Sequence, residues 1–161
     1  MKVPSRKDAL DNVNAQHKKN TAPPVVGQVM SDGTIFSGKS TETGTLLFAL
    51  PQDAEGAKTY TEAKDYINSL NTRRKNGHDD WAIPTPGELR LLFAARDTGA
   101  FKNTFNTASK NGKNAWYWSS AAEYEGKVWT YACGGTMMGV AVYHEETSNL
   151  RCIRRKKGPL S

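Results

Sequence analysis

The sequence has no long apolar stretch. Its longest apolar runs, such as residues 46–50, are far shorter than the ~20 residues that a membrane-spanning helix requires. No apolar segment follows the basic N-terminus, so we expect neither a secretory signal peptide nor a membrane span. We therefore expect synthesis in the cytoplasm, with assembly into a phage particle or association with a bacterial surface left open.

Cysteine is scarce, with only Cys133 and Cys152 in the whole chain. Without a secretion signal, two reduced and packed thiols are expected rather than a disulfide. Neither cysteine belongs to a Cys-x-x-Cys spacing with histidine companions, which disfavours a zinc site. The sequence leaves open whether the two side chains meet.

The positive charge lies at the ends of the chain. The formal net charge is +6, but residues 25–150 hold 12 basic and 14 acidic residues, a formal charge of −2. This pattern predicts a flexible basic arm over 1–24, a folded domain over 25–155 and a basic tail over 156–161. A nucleic-acid partner is expected only through the basic ends. The arm is expected to attach the domain to an assembly or to stabilise a homo-oligomer.

Two helices are predicted from their first turns. Thr59 and Thr85 are each followed three residues later by glutamate, the pattern of a capping box. Pro86 occupies the favoured first helical position of the second helix. Behind the first cap, the apolar face comprises Ala63, Tyr66, Ile67 and Leu70. Behind the second cap, the apolar stripe comprises Leu89, Leu92 and Phe93.

Strands account for most of the remaining pattern. A hairpin is predicted around the turn at 31–34, and a strand at 46–50. The last third predicts a β-meander, with strands near 116–120, 128–133, 138–143 and 150–154. In its first strand, Trp116 and Trp118 should share one face and Tyr117 the other, one face buried and the other partly exposed. Helices early and strands late indicate an α+β fold.

Three segments carry a resemblance to a known family. They are Asp80–Leu89, containing Trp-Ala-Ile-Pro-Thr-Pro-Gly-Glu, then Tyr117–Ser120, then Leu150–Arg154. Together they resemble the bacterial and phage family called domain of unknown function 1566, typified by the C-terminal domain of the Legionella collagen-like adhesin. The resemblance covers about residues 27–155.

The resemblance implies a C-type-lectin-like fold, with two helices packed on a small antiparallel sheet and with long loops. It implies that the first and last strands pair, and that the loops before the last strand form an exposed recognition surface. Arg151 and Arg154 of the third segment are expected to be paired or solvated rather than to bind an anion.

The patterns of familiar reactive sites are missing. Calcium-dependent lectins use oxygen-rich motifs such as Glu-Pro-Asn, because calcium requires six to eight oxygen ligands. The acidic pairs at 79–80 and 145–146 stand alone, so calcium-independent binding is expected. The histidines lie outside any nucleophile or metal-helix motif, and no phosphate loop is present. We therefore expect no enzyme activity, no cofactor and no metal.

The leading hypothesis is a non-enzymatic recognition module that binds a protein or glycan ligand, carried by a phage particle or bacterial surface assembly. Rigid strands with exposed loops suit recognition, and aromatic or methionine side chains supply contact area. The predicted contact residues are Tyr124, Glu125, Met137, Tyr143 and His144. Two alternatives remain: a structural subunit of a multimeric assembly without external ligand, and nucleic-acid binding through the tails.

Overall fold

The computed structural model describes residues 5–7, 22–107, 115–134 and 137–158. Within residues 22–158, the described part of the chain has two α-helices, α1 (Tyr60–Thr72) and α2 (Pro86–Ala94). Its strands are β1 (Ile35–Lys39), β2 (Leu46–Ala49), β3 (Trp116–Trp118), β4 (Lys127–Ala132), β5 (Gly139–Tyr143) and β6 (Ile153–Lys156). These elements confirm the α+β class. Most of the arm predicted over 1–24, and the last three residues of the predicted tail, lie outside the described residues.

The strands form two antiparallel sheets rather than the single small sheet expected. One sheet has the order β1-β2-β6 and the other β3-β4-β5. The expected pairing of the first and last strands is wrong, because β2 lies between β1 and β6 and pairs with both. All four residues of β2 are buried and apolar, which suits a central strand. In contrast, β1 ends at Lys39 and β6 carries three basic residues, as is typical of strands at a sheet edge.

The helices begin at the predicted caps. The Thr59 hydroxyl accepts a hydrogen bond from the Glu62 backbone N–H at 3.2 Å. At α2 the box is complete, because Thr85 accepts from the Glu88 N–H and Glu88 accepts from the Thr85 N–H. Glu88 is fully buried and also receives two hydrogen bonds from Arg155 of β6, at 2.7 and 2.6 Å. The capping glutamate of α2 therefore also fixes the helix to the first sheet.

Strand β3 lies between two hydrophobic cores. Tyr117 packs in the cluster that contains the apolar stripe of α2, and its ring lies 5.4 Å from that of Phe93. Trp118 packs in the other cluster with the apolar face of α1, 5.3 Å from the ring of Tyr60. Both side chains are fully buried, whereas Trp116, on the same face as Trp118, is half-buried, so the expected partial exposure of one face holds only at Trp116. The two helices cover opposite faces of β3, which buries it at Tyr117 and Trp118.

The two cysteines are free and buried, as expected for reduced thiols. Cys133 belongs to the cluster around α2, whereas Cys152 belongs to the cluster around α1. Burial raises the pKa of each thiol to about 12. Both side chains therefore remain protonated at neutral pH and act as apolar packing groups.

Candidate functional site

A buried ion pair connects Arg151, just before β6, to Asp53, in the loop between β2 and α1. Arg151 is fully buried, and its Nε donates to Oδ1 of Asp53 at 2.8 Å. The same guanidinium donates to the carbonyl of Thr104 at 2.7 Å and lies 3.9 Å from the ring centre of Phe105. The Tyr117 hydroxyl donates to the second oxygen of Asp53 at 2.6 Å. Arg151 was expected to be paired or solvated; it is paired, and the pair fixes four distant segments to each other.

The protonation of this network follows from its burial. Burial raises the pKa of Asp53, and the opposing attraction of Arg151 does not fully reverse that effect. Burial also raises the pKa of Tyr117, and the nearby Asp53 carboxylate raises it further. Tyr117 therefore stays protonated and donates to Asp53. Because its groups are engaged with one another inside the protein, we assign the network a structural role.

The acidic pair at 79–80 has arginine partners. Asp80 receives two hydrogen bonds from Arg154, at 2.9 and 3.2 Å, and Asp79 lies 3.7 Å from Arg74. Arg154, which was expected to be paired or solvated, is therefore paired. Within the described part of the chain, no three His, Cys, Asp or Glu side chains are grouped in a way that could hold a metal ion.

A tight turn connects the end of the loop after β3 to β4. Tyr124 and Lys127 exchange two backbone hydrogen bonds, at 3.0 and 2.9 Å. Between them, Glu125 and Gly126 have φ angles of 49° and 74°, the left-handed conformations of a two-residue type I′ turn. The turn therefore fixes Tyr124 directly opposite Lys127.

A row of three side chains, exposed at its two ends, crosses the sheet at this turn. Lys127 pairs with Tyr124 on one side and with Tyr143 of β5 on the other. Directly paired residues share one face of a sheet, so the three side chains lie in line. Tyr124 is 60% exposed and Tyr143 is 55% exposed. The Lys127 ammonium lies 4.9 Å from the ring centre of Tyr143, a cation–π contact. We call these three residues the tyrosine row.

A histidine and a carboxylate flank the tyrosine row. His144 Nε2 lies 3.3 Å from an oxygen of Glu123, and the His144 ring meets the ring of Tyr60 edge-on at 5.4 Å. The Tyr60 backbone N–H donates to the His144 carbonyl at 3.1 Å. These contacts connect the end of β5 to the start of α1. The start of α1 therefore packs against the end of the strand that carries Tyr143.

The same face of the sheet continues with packed aromatic rings. Trp129 pairs with Ala141, and Tyr131 pairs with Gly139. The rings of Trp129 and Tyr131 are 6.4 Å apart and stacked at 28°. A Cβ atom on Gly139 would lie 2.6 Å from the Tyr131 ring, so only glycine leaves that ring its present position. The small residues of β5 thus make room for the aromatic residues of β4.

Four of the five predicted contact residues lie at the end of the sheet that carries the tyrosine row: Tyr124, Glu125, Tyr143 and His144. Met137 does not join them. It precedes β5 at the opposite end of the strand, is half-buried and packs against the core around α2. The sequence interpretation missed Lys127, although the Glu125-Gly126 turn and the alternation of the following strand would have placed it opposite Tyr124.

Neither α1 nor α2, nor any other described helix, is long and apolar enough to cross a membrane.

Comparison with known proteins identifies the family. No curated protein matches the chain. The family model described as the Lcl C-terminal domain matches residues 19–154, which include both helices, the two cores and the tyrosine row. The match covers far more than half of the 161 residues. The chain therefore belongs to the family of Lcl C-terminal domains, named for the Legionella collagen-like protein.

Proposed function

We propose that this domain is a non-enzymatic, C-type-lectin-like recognition module that binds a protein or glycan ligand through the tyrosine row. Membership of the Lcl C-terminal family indicates an adhesin-like module at a surface. We further propose that a phage particle or a bacterial surface assembly carries it. The observation on which this proposal rests is the exposure of Tyr124 and Tyr143 beside Lys127.

The chemistry of the row favours recognition. Aromatic side chains bury ~150–250 Å² each on leaving water, and tyrosine adds a hydroxyl for hydrogen bonding. Tyrosine is among the residues that contribute most at binding interfaces. Here two tyrosines flank one lysine, with Glu123 and Glu125 nearby as hydrogen-bond acceptors. A ligand could therefore combine stacking with hydrogen bonds on one small surface.

The support beneath the row lowers the cost of binding. Tyr124 is fixed by a two-residue turn, and Tyr143 lies in a five-residue strand paired throughout with β4. The contact from Lys127 further restricts the ring of Tyr143. Side chains that are already ordered lose less conformational entropy on association. A preorganised aromatic surface of this kind is suited to binding small areas of ligand.

Binding without covalent chemistry is the simplest use of these groups. His144 is engaged with Glu123 and Tyr60, and both thiols lie in the cores with raised pKa values. Thiols must ionise to act as nucleophiles, so buried thiols with a pKa of about 12 are poorly suited to catalysis.

The experiment is a binding screen with the purified full chain on an array of glycans and surface proteins. It is run with calcium and again with a chelator, and repeated with a variant carrying Tyr124→Ala and Tyr143→Ala. We expect specific binding that survives the chelator and is lost in the double variant. Absence of binding, together with self-assembly of the same preparation, would instead support a structural subunit without external ligand.

A further inference from the structure

Strand β5 presents an open edge. It pairs with β4 on one side, and no other described strand pairs with it on the other side. The Ala132 N–H donates to the Met138 carbonyl at 3.0 Å. Backbone groups in an antiparallel strand alternate in direction, so the even-numbered residues of β5 also bond to β4. Gly139 and Ala141 therefore direct their N–H and C=O groups away from the sheet.

A groove reaches the same edge on the opposite face from the tyrosine row. Its volume is about 290 Å³, and its lining includes Trp116, Thr130, Val140 and Val142. Val140 and Val142 belong to β5 and alternate with Ala141 and Tyr143, so they face the other side of the sheet. Val140 is 40% exposed. Thr147 and Ser148 add polar groups to the lining, so the groove offers a site that is partly apolar and partly polar, adjacent to unpaired backbone groups.

This edge lacks the usual protection against strand addition. Natural sheet edges commonly carry lysine, other charged residues or proline, which oppose pairing with a further strand. Strand β5 has the sequence Gly-Val-Ala-Val-Tyr and carries none of these. In contrast, the edge strand β6 of the other sheet carries Arg154, Arg155 and Lys156. The difference indicates that β5 is available for pairing.

The charge beside the groove is negative. Glu146 contributes to its lining, and Glu145 is the adjacent exposed residue. Within the described residues, neither carboxylate has a salt bridge, whereas Glu88 is paired with Arg155. A strand that lies along β5 would therefore gain a favourable interaction by carrying a lysine or arginine near Glu146.

We propose that β5 binds an extended basic peptide segment of a partner protein as an added β-strand. The peptide backbone pairs with Gly139 and Ala141, one apolar side chain enters the groove, and a basic side chain meets Glu146. This mode combines main-chain hydrogen bonds for affinity with a side-chain pocket for specificity. A second copy of β5 is the less suitable occupant, because its sequence has no cation to offer Glu146. The proposal goes beyond the tyrosine row and uses the other face of the sheet.

The test uses a displayed library of random ten-residue linear peptides, selected on the full chain. Enriched peptides are synthesised, and their affinities are measured for the wild type and for Ala141→Pro, Glu146→Lys and Tyr124→Ala. The Ala141 N–H points outward, so proline there blocks an added strand while leaving the bonds to β4 in place. We expect enriched peptides to be basic, to bind at least tenfold more weakly to Ala141→Pro and Glu146→Lys, and to bind Tyr124→Ala unchanged.

Amide hydrogen exchange on the wild type provides a readout that does not depend on the folding of a variant. In the free protein the Gly139 and Ala141 amides should exchange fast and the Val140 and Val142 amides slowly. Added peptide should protect the first two. The proposal is overturned if no peptide is enriched, or if these amides gain no protection. It is also overturned if sedimentation shows self-association that Ala141→Pro abolishes, since a second copy would then occupy the edge. If Tyr124→Ala binds the peptides as the wild type does, the peptides do not use the tyrosine row. The outcome of this test is then independent of whether the tyrosine row binds a ligand.

Discussion

Arg151 and Asp53 are separated by 98 positions in the sequence, yet their side chains form a 2.8 Å ion pair inside the protein. The pair connects the segment before β6 to the loop between β2 and α1. Because Arg151 also bonds to the Leu50 and Thr104 carbonyls, its position is determined from three directions. The sheet that carries the tyrosine row is thereby fixed to the rest of the domain through Tyr117, which bonds to the same carboxylate.

The first prediction concerns this ion pair. Asp53→Ala leaves the buried Arg151 charge without its partner, which typically lowers the free energy of unfolding by about 3–5 kcal/mol. The matched control is Arg74→Ala, because the pair between Arg74 and Asp79 is 3.7 Å long and both side chains are about two-thirds exposed. Arg74→Ala should lower the free energy of unfolding by at most ~1 kcal/mol. Urea unfolding measures both values, and equal losses would contradict the structural role of the buried pair.

The second prediction concerns the thiols. With a pKa of about 12, each cysteine is ionised at pH 8 to about one part in ten thousand. Iodoacetamide should therefore modify neither Cys133 nor Cys152 in the folded protein, but both in denaturant, as read by mass spectrometry. Rapid modification in the native state would contradict their burial.

The same pKa values have a consequence for stability. The folded pKa is raised above the unfolded value of about 9, so folding favours the protonated thiol. This contribution is complete below pH 9 and is lost as the pH rises toward 12. Replacing both cysteines with alanine should make the unfolding free energy less dependent on pH within that window.

The third prediction concerns Gly139. Gly139→Ala places a methyl group against the Tyr131 ring, which is packed on the core, and should cost about 1–3 kcal/mol through overpacking. Gly87→Ala is the control. There the new methyl group would meet the carboxylate of exposed Glu42, which can move away at the cost of its one hydrogen bond from the Thr85 hydroxyl, and alanine is favoured over glycine in the helix. Thermal unfolding should show a larger loss for the first variant than for the second; the reverse order would contradict the packing of Tyr131 on β5.

Local patterns of the sequence were sufficient for the helices and most strands. The threonine–glutamate spacing located both helix starts, because capping is determined by residues within one turn. The apolar positions Ala63, Ile67 and Leu70 were correctly assigned to the core, whereas Tyr66 is half-buried.

Non-local relationships were harder to predict. The burial of both Tyr117 and Trp118 depends on two helices that cover opposite faces of β3, and alternation along a strand contains no such information. The ion pair between Asp53 and Arg151 likewise depends on tertiary contact. At the candidate site, Tyr124 and Tyr143 were predicted from loop position and are exposed, whereas Met137 lies at the opposite end of β5 and is half-buried. Its neighbour Met138, at 60% exposure, is the more exposed of the two.

The central claim is that the tyrosine row binds the ligand, and affinity measurements on the strongest array hit test it most directly. The wild type is compared with the Tyr124→Ala plus Tyr143→Ala variant, with Lys127→Ala and with Lys58→Ala. Lys58 is a matched control, because its ammonium makes the same kind of contact with a ring outside the row, 5.0 Å from the ring centre of Tyr66. We expect the double variant to lose at least tenfold in affinity, about 1.4 kcal/mol, with Lys127→Ala weakened and Lys58→Ala unchanged. Equal affinity of the wild type and a correctly folded double variant would contradict the account.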